Sequence, residues 1–175
     1  MQSENLCELS HRPRVPFIPI RSCVTIEWPE IAPRRPSAYH RTMTKPIVQT
    51  ARFPVSAKQL YDIYLDPKRH ASFTGAPVRI SPKPGSEFEA FDGMLSGSTV
   101  FTLSGKLIVQ RWRSENFGIA DLDSILILTF SDEGKQGRID LVHVNVPQQD
   151  YKGVTEGWKK YYWTPLWKYL KKQAK

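Results

Sequence analysis

Cysteine is nearly absent from this 175-residue chain: there are two, Cys7 and Cys23, and both precede residue 46. Disulfides are therefore not expected to hold the remainder together, and thiolate metal ligands and thiol nucleophiles are missing from it. The scarcity suits a reducing compartment, and the cytoplasm is the expected location. No stretch of about 18 apolar residues occurs, so no transmembrane helix is expected. The first residues lack the basic start and apolar run of a secretory signal. The four histidines, His11, His40, His70 and His143, are scattered rather than spaced as metal ligands. Nucleophile-elbow, P-loop and Rossmann glycine patterns are missing too. No metal, cofactor or catalytic residue set is expected, and the chain reads as a protein that is not an enzyme.

Glycine is missing from residues 1–45, which instead carry Pro13, Pro16, Pro19, Pro29, Pro33 and Pro36, with Pro46 at the border. Proline at this density blocks helices and central strands. Residues 1–45 are read as a disordered or loosely attached extension. Met43 lies just before the first patterned strand, which makes it an alternative biological start and residues 1–42 a gene-model artefact. The rival is an Arg-containing transit peptide, against which Glu4, Glu8, Glu27 and Glu30 count.

Aromatic residues are plentiful. Five Trp, seven Tyr and eight Phe provide enough bulk for a stable core without staples. The net charge is +8, and lysines crowd the C-terminus: Lys152, Lys159, Lys160, Lys168, Lys171, Lys172 and Lys175. A solvated helix face whose charge complements the helix dipole accounts for them. A surface for an acidic protein partner is the other reading. Nucleic acid is not expected, because the charge lies on one helix without a recognition motif.

Pattern begins at Ile47. Residues 47–53 read as a strand stopped by Pro54. Ser56 and Gln59 form a capping box, and Leu60, Ile63 and Tyr64 share one helical face. Asp66-Pro67 starts a second short helix that ends near Gly75. Strands are expected at 77–80, 87–91, 98–103, 107–113, 124–131 and 138–146, joined by turns such as Asp92-Gly93. Short connections imply an antiparallel meander. Val154, Trp158, Tyr161, Tyr162, Leu166 and Tyr169 then form one wide apolar stripe on a long helix. Pro165 is expected to kink it or weaken one turn. Gly153 and Gly157 are expected to let the helix approach the sheet closely.

A sheet must bury one face, and this helix carries the widest stripe. The expected fold is therefore α+β: a curved antiparallel sheet of six to seven strands around a long C-terminal helix, over residues 46–172, with 173–175 as a basic tail.

Four stretches carry a family resemblance: residues 71–77 (ASFTGAP), 91–97 (FDGMLSG), 108–113 (IVQRWR) and 157–166 (GWKKYYWTPL). They are similar to homologues of the C-terminal domain of the heat-shock protein 90 ATPase activator, within the SRPBCC superfamily of START-like helix-grip folds. The last stretch is the most specific. The resemblance covers about residues 46–172. It implies the helix-grip fold, a cavity between helix and sheet, and no catalysis in most members. Residues 1–45 do not resemble the separate N-terminal domain of the activators.

Candidate residues follow. Strand alternation puts Ile139, Leu141, His143 and Asn145 on one face. If that face meets the helix, His143 enters the cavity, where it hydrogen-bonds a polar group of a ligand or titrates near neutral pH. The alternative is a histidine held by structural hydrogen bonds. Phe73, Phe88, Phe101, Trp112, Phe130, Trp158, Tyr161 and Tyr162 are candidate cavity walls or ordinary core. Asp121 and Asp123 read as solvated loop carboxylates. The expected function is a non-catalytic module that binds an apolar small molecule or lipid. The alternative is a co-chaperone-like module that meets a protein partner through Lys159, Lys160 and Lys168. Oligomeric state is open.

Overall fold

A computed structural model describes residues 43–173. The expectations for residues 1–42 and 174–175 lie outside the described residues. Strand β1 (Thr44–Phe53) is followed by helices α1 (Ala57–Leu65) and α2 (Pro67–Thr74). Six strands come next: β2 (Val78–Arg79), β3 (Glu87–Ala90), β4 (Leu95–Leu103), β5 (Leu107–Ser114), β6 (Ser124–Glu133) and β7 (Gln136–Pro147). The chain then turns helical through α3 (Tyr151–Gly157), a π-helical segment (Trp158–Trp163) and α4 (Thr164–Gln173).

All strand pairs are antiparallel, in the order β1-β7-β6-β5-β4-β3-β2. Proline ends β1 and β7, as a residue without an N–H must. The first helix starts where Ser56 Oγ accepts from Gln59 N. Asp66 caps the second through Lys68 N and Arg69 N, with Pro67 inside the first turn and Gly75, at φ 76°, closing it. Gly137 lets α1 settle on the sheet. A Cβ there would lie 2.5 Å from Val55 O and 2.7 Å from Leu60 Cδ1.

One face of the sheet is dry. Ile108, Leu126, Leu128, Ile139 and Leu141 are fully buried beneath Val154, Trp158, Tyr162, Leu166 and Leu170 of the C-terminal helix. Hydrogen bonds also fix the helix to β1: Gln49 Nε2 donates to Thr155 O at 2.9 Å, and Trp163 Nε1 donates to Gln49 Oε1 at 2.7 Å. The sheet thus grips the helix, as its pattern implied.

Two expectations change in detail. Ahead of Pro165 the helix widens into the π segment, where Thr164 N donates to Lys159 O. A π segment is one way for a helix to absorb a residue that disturbs its bonding ladder, and such segments recur at functional sites. Phe101 was expected at the cavity wall, yet it is 48% exposed on the outer face. The β4–β5 register shifts between Thr99 and Phe101, so Thr102, not Phe101, lies opposite the buried Ile108. One extra residue in a strand inverts the facing of every later side chain.

Candidate functional site

The helix does not cover the sheet completely. Between its first turns and the β3–β5 end of the sheet lies an open cleft of about 440 Å³. Phe91, Leu95, Trp112, Trp158, Tyr161 and Tyr162 make its apolar walls. Glu115, Asp150, Glu156 and Lys160 supply its charged groups.

The helix leaves this space because of Gly153 and Gly157, and here the sequence reading needs correcting. Both glycines line the cleft and neither presses on the sheet. A Cβ on Gly157 would meet nothing closer than Tyr161 Cδ2 at 3.7 Å, and one on Gly153 would meet Asp150 Oδ1 at 2.8 Å. Phe91 borders the opening from the β3–β4 turn, where Phe91, Asp92 and Gly93 have φ of 54°, 55° and 88°. A bulky residue in the left-handed region costs on the order of 1 kcal/mol and commonly marks a functional position. The Phe91 ring sits 5.9 Å from both Tyr161 and Tyr162. Nothing in local propensity singles Phe91 out; only the Asp92-Gly93 turn signal hints at it.

Sequence reasoning therefore finds the cleft in part. Trp112, Trp158, Tyr161 and Tyr162 come together there, with Tyr161 still 46% exposed. Phe88 and Phe130 are buried core away from the cleft, Phe130 packed edge-on to Tyr61. Phe73 is buried against His70 and Tyr162. Lys159 and Lys168 are exposed, and Lys160 stands at the rim with its ammonium 4.8 Å from the Tyr161 ring centre. Asp123 is tied to Arg113 at 3.1 Å, and Asp121 Oδ2 accepts from Gly118 N at 2.7 Å, so both acids organise the β5–β6 loop.

His143 faces the helix but does not enter the cleft. It is fully buried behind Trp112 and Trp158. Trp158 Nε1 donates to its Nδ1 at 3.2 Å. That nitrogen must be bare, so Nε2 carries the proton and donates to Ser124 Oγ at 2.8 Å. Ser124 in turn donates to Trp112 O at 2.8 Å. The relay binds the helix to three strands and commits the imidazole to its neutral form. Burial pushes the His143 pKa down to about 3, which overturns the expectation of titration near neutrality. The same relay spends the Ser124 proton on a backbone carbonyl, away from solvent. The pair has the residue types of a nucleophile and base without the access.

His70, which sequence reasoning passed over, is the second buried imidazole. Its Nδ1 donates to Tyr64 O at 2.6 Å, while Nε2 has no hydrogen-bond partner. Burial lowers its pKa to about 4, against the opposing pull of the Tyr64 carbonyl. Among the described residues, no group of three or more His, Cys, Asp or Glu is placed to hold a metal ion.

The pattern of one protein family, Activator of Hsp90 ATPase homolog 1-like protein, matches residues 54–171. The chain belongs to that family. A family relative in Dictyostelium discoideum, an activator of 90 kDa heat shock protein ATPase homolog, is 26% identical over 118 residues, covering 67% of this chain and 30% of the relative. An uncharacterized protein of Schizosaccharomyces pombe is 27% identical over 123 residues, 70% of this chain and 36% of its own length. The chain thus spans about a third of these curated relatives. Among solved structures, an HSP90 activator from Plasmodium falciparum superposes with a TM-score of 0.61 at 19% identity, over 67% of this chain and 89% of that one. The Aha1 dimer from Colwellia psychrerythraea gives 0.62 at 12% identity, over 72% and 96%. At these identities the likeness establishes the helix-grip fold of the family domain. No helix among its described residues is long and apolar enough to cross a membrane.

Proposed function

We propose that this domain is a non-catalytic binding module whose cleft, between the C-terminal helix and the sheet, takes an apolar small molecule. The observation that carries the reading is the aromatic-walled space of about 440 Å³ held open by Gly153 and Gly157. Ligand pockets are typically of about 300–1,000 Å³, mostly apolar, with a few polar groups. Cytoplasmic placement fits the reading.

The test uses Gly157→Leu. Gly157 has ordinary helical angles, φ −59° and ψ −41°, so the replacement raises helix propensity by up to about 1 kcal/mol while its side chain fills the cleft. A neutral, environment-sensitive naphthalene dye is expected to bind the full chain with a blue-shifted emission. Binding should weaken at least about tenfold in Gly157→Leu, a change of about 1.4 kcal/mol, with thermal stability kept or raised. Equal dye binding by both proteins would contradict the reading.

A second reading is favoured by the exposed Lys159 and Lys168 together with the names of the relatives. It has the domain docking on a 90 kDa heat-shock protein through the outer face of the helix. Exposed charges of this kind act mainly on encounter rate. Lys159→Glu with Lys168→Glu is expected to slow association in surface plasmon resonance by about tenfold at low salt. An unchanged association rate removes this reading.

A further inference from the structure

The outer face of the sheet is apolar where water should meet it. On the side away from the gripped helix, one row of side chains crosses five strands in register: Phe101, Val109, Ile127, Val142 and Val48. Leu103 and Leu107 widen the row on one side, Ile125 and Val144 on the other. Val48 is 71% exposed, and Phe101 and Leu103 are about half exposed. Every helical segment contributes to the core on the opposite face, and among the described residues no helix lies over this band. An antiparallel sheet with one solvated face ordinarily alternates apolar and polar residues. Strand propensity accounts for the valines and isoleucines but not for Leu103 and Leu107. Contiguous exposed apolar patches mark interaction surfaces.

Charge, size and shape narrow the occupant. The ions beside the band cancel: Arg52 and Arg138 both bond Glu133, and Arg138 also bonds Asp140. Arg111, on the other side, donates to Ser98 Oγ. Little of the net charge of +8 therefore falls on this face, while the lysines of the C-terminal helix lie across the sheet from it. Such a face selects neither an anionic surface nor an acidic partner, and it sets up no strong repulsion between two copies. Five strands of eight to twelve residues, about 4.8 Å apart and rising about 3.3 Å per residue, make a face of about 24 by 30 Å. That area, about 700 Å², is close to the roughly 800 Å² per partner that a stable interface buries. The row is also self-complementary. A two-fold axis along β6 sets Ile127 on its own copy, Val109 on the partner's Val142, and the large Phe101 on the partner's small Val48. The strands of the two sheets then run aligned, as in a β-sandwich.

We propose that the outer face of the sheet is a homodimer interface, on which a second copy of this chain packs its own Phe101–Val48 row about a two-fold axis along β6. The band lies on the opposite side of the sheet from the cleft. The inference is therefore independent of the binding reading, and dimerisation leaves the cleft open in both protomers.

Sedimentation velocity of the full chain, over a range of concentration reaching about 100 μM, is expected to show a monomer–dimer equilibrium. Ile127→Arg brings like charges together at the axis and should weaken dimerisation at least about hundredfold, with circular dichroism unchanged. Lys168→Glu, on the helix, should leave the dimer intact. A second measurement reads position directly. Thr129 is exposed on β6, two residues from Ile127 on the same face. In a Cys7→Ser, Cys23→Ser background, Thr129→Cys should form an intermolecular disulfide under mild oxidation, and Lys168→Cys should not. Should Ile127→Arg fail to fold, this cross-link decides alone. A monomer at every concentration overturns the second copy and leaves the band to a different apolar partner. A dimer that persists in folded Ile127→Arg, or that cross-links through Lys168→Cys as readily as through Thr129→Cys, places the contact off the sheet and overturns the proposal as well.

Discussion

Trp158→Ala is expected to cost about 5 kcal/mol of folding stability, enough to unfold much of the protein at room temperature. The indole is buried and lies at the meeting point of the architecture. It stacks on Trp163 at 5.5 Å, tilts against Tyr162 at 4.5 Å and packs beside Trp112 at 6.5 Å. Truncation to alanine removes this burial and leaves a cavity between helix and sheet. It also strips His143 Nδ1 of its donor. Trp158→Phe separates the two effects. Most of the ring volume stays while the N–H is lost, so the cost should be about 1–3 kcal/mol, the penalty for an orphaned buried acceptor together with some packing loss. Urea unfolding of the three proteins at neutral pH measures both. A loss below about 0.5 kcal/mol for Trp158→Phe would show that the indole-to-imidazole bond adds nothing to the grip.

Stability is expected to fall steeply below pH 6.5, before the carboxylates begin to titrate. Both buried imidazoles have folded-state pKa values lowered by burial, to about 4 for His70 and about 3 for His143. In the unfolded chain each titrates near the ordinary 6.5. Between those limits the unfolded state binds more protons, so acid favours unfolding. The stabilisation is fully present above pH 6.5 and drains away as pH falls toward 4 and then 3. Each histidine should remove about 2 kcal/mol between pH 7 and pH 5, or about 4 kcal/mol together. His143 adds a specific cause. A proton on its bare nitrogen would face the Trp158 N–H donor. In His143→Gln the neutral-pH stability should drop, because an amide fits the Ser124–Trp158 relay imperfectly. The difference between pH 7 and pH 5 should shrink by about half. An unchanged pH dependence in that variant would mean that His143 titrates at the same pH in the folded and the unfolded protein.

These two effects come from the least legible part of the sequence. Strand alternation correctly put His143 on the helix-facing side, because β7 runs without a bulge from Ile139 to His143 against β6. Nothing local said that Trp158 and Ser124 would meet it there, 15 residues later and 19 residues earlier. Partners that far apart are set by the packing of whole elements. His70 was less visible still. It lies on a short helix with a polar sequence, PKRHASFT, and only the fold turns it inward against Tyr64, Phe73 and Tyr162.

The architecture was easier to read because it follows from periodicity and punctuation. Pro54 and Pro147 end strands, Ser56 and Asp66 start helices, and Trp158, Tyr162 and Leu166 define the gripped face. The bulge in β4 gave no such signal, and Phe101 was misplaced through it. Gly153 and Gly157 were noticed for their spacing and given the wrong consequence. Small residues on a helix admit either a neighbour or a space, and sequence alone does not distinguish the two.

The central claim is that the space beside Gly157 is where this protein binds its ligand. Backbone and indole NMR spectra of the full chain, recorded during titration with the neutral naphthalene dye, test it most directly. The account predicts shifts concentrated on the Trp112 and Trp158 indoles and on the amides of Leu95, Ser114, Val154 and Gly157. Shifts confined to the outer lysine face around Lys159 and Lys168, with those signals unmoved, would contradict it.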